Sequence, residues 1–387
     1  MLDKLLDLFT NCWKNRTQPE DFRDAVIVSL YKNKGEKSGC SAYRGIITLR
    51  SIADQVLARV LLNRLIPTTA QVHTPESQCG FRSNRGTTDM ILVLRQIQEK
   101  CKEQNMGPYA AFVDLTKAFD TVSRDAWTVK NPGTPWLPPP PFLTILRQFH
   151  EGQQGQVKHN GSLSGSSSIS DGAKQGCVLA PTLFSIFFGI MLREEKEDLP
   201  RGIYIRFRTD GSVFNLWRLA CTKIIQELIT ELLIADDCAL LAHTEIALQH
   251  IVTEVLYQLP PRKAHSPPHI SIGGTNLNAV EYFTYLDSVI SNDATVIKDI
   301  DNRMSKASSS FRRLSKRAWQ SHSLHLSMKI QVYRAVVISS LLCGAETWVL
   351  YRKQIRLLER FHQRCLHSIL GLRWQTRKSS RKPVCPA

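Results

Sequence analysis

Three short segments place acids or glycines where an apolar stretch breaks off. In Phe112-Val113-Asp114-Leu115-Thr116-Lys117-Ala118-Phe119-Asp120 an acid closes an apolar run and an aromatic follows. In Gly172-Ala173-Lys174-Gln175-Gly176-Cys177-Val178-Leu179-Ala180-Pro181 a Gly/Gln loop enters an apolar stretch, and Ala235-Asp236-Asp237 sits between two apolar arms. A carboxylate flanked by apolar strands is costly unless something neutralises it. Magnesium (Mg2+) suits that task, because it takes hard oxygen ligands and is commonly held by one or two carboxylates plus substrate phosphates. Two such ions about 3.5–4 Å apart activate an attacking hydroxyl and stabilise the leaving oxygen in phosphoryl transfer. Asp114 with the Asp236/Asp237 pair would supply that arrangement. Turn chemistry alone is the competing account of an Asp-Asp pair at a hairpin tip, since Asp tolerates turn conformations.

The elements that must position these groups follow from periodicity. Residues 1–110 read as mainly helical. Ser51–Leu65 carries Ile52, Val56, Leu57, Val60, Leu61 and Leu65 at helical spacing, and Asp89–Lys100 repeats the pattern. Ala25–Tyr31 reads as a strand, 33–41 as a polar loop, and Tyr109–Leu115 as a short strand ending near Asp114. Residues 126–141 hold six prolines and fit neither a regular helix nor a central strand. Phe142–His150 reads as helical, Gly161–Ser170 as a Gly/Ser-rich turn, and Val178–Arg193 as an apolar helix. Leu228–Ala242 has the pattern of a hairpin around its Asp-Asp, 259–269 is a Pro-rich connector, Phe283–Ile290 suggests another hairpin, and 302–371 returns to helical spacing.

The chain has 387 residues, 43% hydrophobic and 22% charged, enough apolar material for a sizeable core and too much for wholesale disorder. The longest uncharged, mostly apolar run, Val178–Leu192, spans 15 residues and is interrupted by Pro181, against the roughly 20 a membrane span needs. No membrane partner is expected. The formal net charge is +16, but it is unevenly placed. Residues 298–382 hold 19 Lys/Arg against four Asp/Glu, while everything before Lys298 holds 31 against 30. A basic C-terminal third suggests a polyanion partner, most simply nucleic acid; a solvated basic face with no partner is the alternative. The ten cysteines include no C-x-x-C pair, so neither a zinc site nor a redox motif is indicated, and reduced thiols in an intracellular compartment are the default.

Taken in order, the three segments resemble the reverse transcriptase of non-LTR (LINE-type) retrotransposons. That family carries F-x-D-L-x-x-A-F-D, then Q-G-x-x-L-x-P-x-L-F, then F-A-D-D, and this chain has Phe112–Asp120, Lys174–Phe184 and Ile234–Asp237. Upstream, 40–49 (CSAYRGIITL) is similar to N-Y-R-P-I-x-L, and Gln78–Arg85 (QCGFRSNR) to Q-x-G-F-R-x-x-R. Downstream, Phe283–Ser288 (FTYLDS) is similar to F-x-Y-L-G-S, and Gly344–Trp348 (GAETW) to G-x-E-T-W. The resemblance implies an α+β, right-handed polymerase fold with helical fingers (1–108), an antiparallel palm sheet backed by helices (109–258), a connector with a primer-grip-like hairpin (259–297), and a basic helical thumb (298–387).

It also implies residue roles. Asp114, Asp236 and Asp237 would be the catalytic, metal-holding acids, with two magnesium ions expected and manganese (Mn2+) as a substitute. Phe119 would lie under the sugar of the incoming nucleotide and exclude a 2′-hydroxyl, although a core aromatic fits the same position. Gln175 and Gly176 would let the backbone approach the nucleotide. Arg44, Arg82 and Arg85 would grip triphosphate or template phosphate, unless they are ordinary surface arginines. Tyr285, Arg352, Lys353, Arg356, Arg360 and Arg364 would contact nucleic acid. The last five lie mostly off the apolar face that Ile355, Leu358, Cys365, Leu366 and Ile369 give Tyr351–Arg373, a face expected to pack on neighbouring helices. The partners implied are an RNA template, a DNA primer and deoxynucleoside triphosphates.

The chain also departs from the family pattern. Where the family has a helix and then G-L-x-I-x-x-x-K-T after Asp-Asp, Leu248–Val252 runs straight into 253–256, so most of that helix and its lysine are missing. The glycine of Y-L-G is Asp287, a negative charge near the expected path of primer phosphates. Ala42 and Gly45 replace the Asn and Pro of N-Y-R-P, Ile234 replaces an aromatic, and the proline-rich 126–141 stands in place of a helix. The family's N-terminal endonuclease and the end of its C-terminal region have no counterpart, so the chain reads as a piece or a decaying copy. Two functions follow: an RNA-directed DNA polymerase, or a catalytically silent relative that at most binds nucleic acid through its basic thumb.

Overall fold

A computed structural model describes residues 2–32, 36, 38–39, 42–49, 52–67, 74–114, 118–124, 140–159, 161–173, 176–194, 202–208, 224–242, 254–258, 271–272, 275–276 and 279–372. It is a mixed helix-and-sheet structure that divides into two units. One comprises residues 1–87, 113–202 and 229–240; the other comprises 88–112, 203–228 and 241–387.

The first unit begins with α1 (Leu2–Asn15), α2 (Glu20–Arg23), β1 (Ala25–Tyr31), β2 (Tyr43–Leu49) and α3 (Ile52–Leu65). β1 pairs antiparallel with β2, from Ala25 opposite Leu49 to Tyr31 opposite Tyr43. Next along the chain, α4 (Thr87–Glu103) and β3 (Tyr109–Asp114) fall mostly in the second unit, and the first resumes with α5 (Pro140–Gln148), β4 (Gln154–His159), β5 (Ser162–Leu163), β6 (Ser167–Ser168) and α6 (Ala180–Glu194). β4 lies parallel to β1 on the side away from β2, and β5 and β6 fold back on β4. Gly161–Ser170, expected as a plain turn, thus carries two short strands. α5 opens with Pro140, a residue tolerated in a first helical turn because its missing N–H has no intrahelical partner there. The proline-rich residues 125–139 lie outside the described residues.

The core of this unit is built by helical stripes. Leu57, Leu61 and Leu65 of α3 meet Ile145, Leu146 and Phe149 at α5 and Leu179, Ala180 and Leu183 at the start of α6. Each fully buried Leu or Phe stabilises by about 1.5–3 kcal/mol, so this cluster fixes where α6, and the glycine loop before it, must sit. The unit also holds β9 (Glu231–Ile234) and most of β10 (Asp237–Ala242). β9, β10 and β3 are successive neighbours in one sheet.

In the second unit β3 pairs antiparallel with β11 (Glu254–Tyr257), Phe112 standing opposite Glu254 and Tyr109 opposite Tyr257. β11 therefore enters this sheet just downstream of the expected deletion. Residues 243–253, where that deletion is expected, lie outside the described residues. β7 (Ile203–Arg208) pairs with β8 (Ile224–Ile229), β12 (Ser271–Ile272) with β13 (Thr275–Asn276), and β14 (Ala279–Val280) runs parallel to β11. β15 (Tyr282–Tyr285) and β16 (Ser288–Ser291) form the hairpin expected around Phe283–Ile290.

The C-terminal helices are α7 (Ile297–Arg313), α8 (Leu326–Val332), a π-helical stretch Tyr333–Ile338, α9 (Ser339–Leu342) and α10 (Arg352–Ile369). Ala307, Trp319, Tyr333, Val337, Leu341, Phe361, Cys365 and Ile369 make their common core, the last three at four-residue spacing on α10. Leu326–Thr347 is long and apolar enough to cross a membrane by length and composition. Its Tyr333, Val337 and Leu341 belong to this core. Ile355, expected on the packed face of α10, is exposed, and Gln354 and Phe361 are buried instead. Gln354, Phe361, Cys365 and Ile369 fall on one line of the helix, and Ile355 stands one residue, about 100°, off it.

Candidate active site

Ile234 pairs with Asp237 across β9 and β10, leaving Ala235 and Asp236 as a two-residue turn. Its arms are apolar and fully buried from Leu232 to Leu233 and from Cys238 to Ala242, so the pair of acids is forced to the tip. Asp237 is exposed and Asp236 half-buried. Burial pushes the Cys238 thiol above its ordinary value, so it remains a neutral member of the arm. Ala235 has φ +55°, in the left-handed region that costs a non-glycine residue roughly 1–2 kcal/mol. Something must hold it there.

That support comes from Ser77–Gly80, which docks along β9. The Cys79 N–H donates to the Leu233 carbonyl at 2.9 Å, the Leu233 N–H to the Ser77 carbonyl at 2.9 Å, and Ser77 Oγ to Glu231 Oε1 at 3.0 Å. Between them the Gln78 side chain, 0% exposed, reaches the turn itself. Its Oε1 accepts the N–H groups of Gly80 at 2.8 Å and Ala235 at 3.1 Å, and its Nε2 donates to the Ala235 carbonyl at 3.4 Å. Gly80 is required: a Cβ there would stand 2.4 Å from the Ala235 nitrogen.

The segment after β3 is tied to the glycine loop. The Ala173 N–H donates to the Phe119 carbonyl at 2.7 Å and the Gly172 N–H to the Val122 carbonyl at 2.9 Å. Gly172 has φ +87°, and a Cβ on it would meet the Asp120 carbonyl oxygen at 2.8 Å. Arg124 completes the tie, donating to the carbonyls of Gly172 at 3.0 Å, Ile169 at 2.8 Å and His150, and to Gln153 Oε1 at 2.9 Å. No spacing rule in the sequence marks Arg124 for this role. The Phe119 ring is half-buried and stacks on Phe184 of α6, centroids 4.4 Å apart. Gly176, with φ +111°, is exposed. Gln175 and the side chains of Asp114 and Arg44 lie outside the described residues, although Asp114 ends β3, the neighbour of β10, and Arg44 stands opposite Leu30 in the β1–β2 ladder.

The expected phosphate-gripping arginines Arg82 and Arg85 converge on one carboxylate, Glu76, at 3.1 and 2.9 Å. Arg82 also donates to the carbonyls of Pro75 at 3.2 Å and Gln78 at 3.5 Å, so it braces the loop that carries Gln78. Gln78 was legible only as the first letter of the Q-x-G-F-R resemblance; its buried amide marks it as structural to the tip.

In the second unit, Arg352, Lys353, Arg356, Arg360 and Arg364 are all exposed, and none forms an ion pair among the described residues. Four of them recur every four residues as one stripe along α10. Tyr285, expected at the nucleic-acid surface, is instead 3% exposed and packs against Phe112, whose ring stacks on Phe283 at 4.1 Å. Alternation turns Tyr285 inward on β15. Asp287 at the hairpin turn does not stand as a bare negative charge. Arg303 holds it at 2.7 Å and Lys306 pairs with its other oxygen. Burial alone would raise its pKa, but hydrogen bonds and charge from Lys306 and Arg303 outweigh that and set it below the ordinary carboxylate value.

The tip suits a hard divalent cation. Asp236 makes no hydrogen bond or ion pair among the described residues, and its donors and those of Asp237 are carboxylate oxygens, the ligands magnesium prefers. Among the described residues no group of three or more His, Cys, Asp or Glu gathers at one place. Asp114 ends β3, the neighbour of β10 in the sheet.

A family model described as reverse transcriptase (RNA-dependent DNA polymerase) matches residues 32–263, an interval containing the Gln78 loop, the glycine loop and the acidic tip. The RNA-directed DNA polymerase from mobile element jockey of Drosophila melanogaster is 23% identical over 382 residues, which cover 93% of this chain and 39% of the relative. The probable RNA-directed DNA polymerase from transposon X-element of the same species is 23% identical over 372 residues, covering 94% of this chain and 39% of the relative. The chain thus spans about two fifths of the length of these curated relatives. Among solved structures, apo telomerase from Candida tropicalis aligns with 95% of this chain and 66% of its own, with 11% identity and a TM-score of 0.38.

Proposed function

The chain belongs to the reverse transcriptase (RNA-dependent DNA polymerase) family, and from that premise we propose that it is the polymerase region of a LINE-type retrotransposon protein, extending a DNA primer on an RNA template. The observation that carries this reading is the acidic tip: Asp236 and Asp237 stand at the end of a buried apolar hairpin, on a strained turn that a buried glutamine holds in place.

In this reading residues 1–108 are fingers, 109–258 palm, 259–297 a connector with the β15–β16 hairpin, and 298–387 a thumb. The primer 3′-hydroxyl oxygen attacks the α-phosphorus of a deoxynucleoside triphosphate, its proton passes to solvent, and pyrophosphate leaves. Magnesium bound at the tip, with manganese as a substitute, supplies Lewis-acid stabilisation of the charge that develops on the phosphate oxygens. Asp236 and Asp237, with Asp114 from the neighbouring strand, present the oxygen ligands. Phe119, fixed by Phe184 behind it, bounds the sugar site and excludes a 2′-hydroxyl. Gln175 and Gly176 line the nucleotide's path, where a glycine lets backbone approach closely. Arg44, Arg82 and Arg85 take phosphate, the last two by exchanging Glu76 for a stronger anion. Arg352, Lys353, Arg356, Arg360 and Arg364 follow the template–primer backbone.

The alternative is a silent relative that only binds nucleic acid. Of its two supports, the charge at Asp287 is offset by Arg303 and Lys306, which leaves the missing lysine segment after Val252. The test is extension of a labelled DNA primer on an RNA template with deoxynucleotides and magnesium. Extension supports the polymerase; tight, salt-sensitive binding without extension supports the alternative.

A further inference from the structure

We infer that Gln78 is a positioning residue for the acidic tip: its buried side-chain amide fixes the Ala235–Asp236 turn and thereby sets where the Asp236 carboxylate presents its oxygens to a divalent cation. This rests on the proposed metal-holding role of Asp236.

The geometry is specific to a glutamine. Oε1 accepts two N–H groups, from Gly80 and Ala235, while Nε2 donates to the Ala235 carbonyl. One side chain therefore holds the peptide groups on both sides of Ala235, the residue with φ +55°. The carbonyl it grips belongs to the same peptide plane as the Asp236 nitrogen, so rotation of that plane would swing the carboxylate. Asparagine is one methylene too short to span the gap. Glutamate keeps the two accepted bonds but sets an oxygen against the Ala235 carbonyl. Methionine keeps the length and offers neither donor nor a strong acceptor.

The docking of the loop does not depend on this amide. Backbone bonds between Cys79 and Leu233 and between Leu233 and Ser77, with Ser77 Oγ on Glu231, hold Ser77–Gly80 against β9. Replacing Gln78 thus removes the grip on the turn and leaves the loop in place. Groups that orient a metal ligand typically change metal affinity by roughly 10–100-fold when removed.

The experiment titrates Mn2+ into the nucleotide-free chain and reads bound ion by electron paramagnetic resonance, for wild type, Asp236→Ala, Gln78→Met and Gln78→Glu. Affinity for a primer–template duplex without divalent ion is measured beside it. The expected result is Mn2+ affinity weakened about tenfold or more by Gln78→Met, less by Gln78→Glu, with duplex affinity within about twofold of wild type. Wild-type Mn2+ affinity in both Gln78 variants, with Asp236→Ala clearly weakened, overturns the inference and leaves the metal site standing. Equal affinity in wild type and Asp236→Ala overturns the metal site and the inference with it. If Gln78→Met does not fold, Gln78→Glu decides: affinity at least threefold below wild type supports the role, and unchanged affinity overturns it.

Discussion

Arg95 and Asp299 form a buried ion pair: Nη2 of Arg95 lies 2.6 Å from Oδ2 of Asp299, whose side chain is 0% exposed. The same carboxylate accepts Trp348 Nε1 at 2.8 Å and the Val289 N–H at 2.9 Å. One acid thus joins α4, the β15–β16 hairpin, the G-A-E-T-W segment and α7. Burial lowers the Arg95 pKa while Asp299 acts to raise it, so the pair depends on staying complete. Arg95→Met should destabilise by about 3–5 kcal/mol, the cost of stranding a buried charge. In Arg95→Met/Asp299→Asn part of that stability should return. Urea unfolding of the three proteins measures both effects, and a loss under about 1 kcal/mol in Arg95→Met would show that the pair is incidental.

Asp287 gives a prediction in pH. Its folded pKa lies below the unfolded value, so its pairing stabilises above the unfolded carboxylate pKa of about 3.9 and is lost as pH falls through the lower folded value. Asp287→Gly removes an exposed pair with Lys306, worth about 0–1 kcal/mol, takes the carboxylate partner from the Arg303 guanidinium, whose side chain is 4% exposed, and places glycine at φ +68°, which it adopts freely. Stability at pH 7 should fall by about 1–3 kcal/mol, the cost of leaving a buried charged donor without its partner, and the variant should lose less stability than wild type between about pH 5 and pH 2. A loss below about 0.5 kcal/mol at pH 7 contradicts this account.

Phe119→Val should admit ribonucleotides. On the proposed placement of the ring beneath the sugar, the preference for deoxynucleotides should fall at least about tenfold, a change of about 1.4 kcal/mol. Removing the stack on Phe184 should also cost roughly 1–3 kcal/mol in unfolding, because the ring is only half-buried. Competing labelled ribo- and deoxynucleotides in primer extension report the first effect. Unchanged discrimination would leave Phe119 as a core aromatic.

The α10 stripe should act through charge. Arg356→Gln/Arg360→Gln/Arg364→Gln should weaken duplex binding in low salt. The slope of log affinity against log salt should flatten by about 0.9 for each phosphate that the variant no longer neutralises. Stability should hardly change, since none of the three side chains is buried. Binding titrations at several salt concentrations check this, and an unchanged slope would move the duplex off α10.

The sequence showed most of the frame because the frame rests on apolar periodicity. The two hairpins form as their patterns require, and Leu57, Leu61 and Leu65 of α3 and Ile91, Leu94 and Ile97 of α4 are buried at helical spacing, whereas Ile52, Val56 and Val60 of the expected α3 stripe and Leu92 of α4 are exposed. Ile355 was misread because α10 has apolar residues on more than one face, and only its neighbours select the line through Phe361 and Cys365. Tyr285 was misplaced for a related reason: a motif gives residue type, while strand alternation decides which side meets the core. Gln78, Arg124 and the Arg95–Asp299 pair were not legible as site or core residues. Arg124, Gln78 and Arg95 reach partners 48, 157 and 204 positions away along the chain, and pairwise partners at such distances leave no local pattern.

The most direct measurement is magnesium-dependent extension of a DNA primer on an RNA template by the wild-type chain and by Asp236→Ala. If Asp236 holds the catalytic ion, the wild type extends the primer and the variant is slower by at least about a hundredfold, some 2.7 kcal/mol of transition-state stabilisation. Equal extension by both proteins would contradict the assignment of the acidic tip as the catalytic centre.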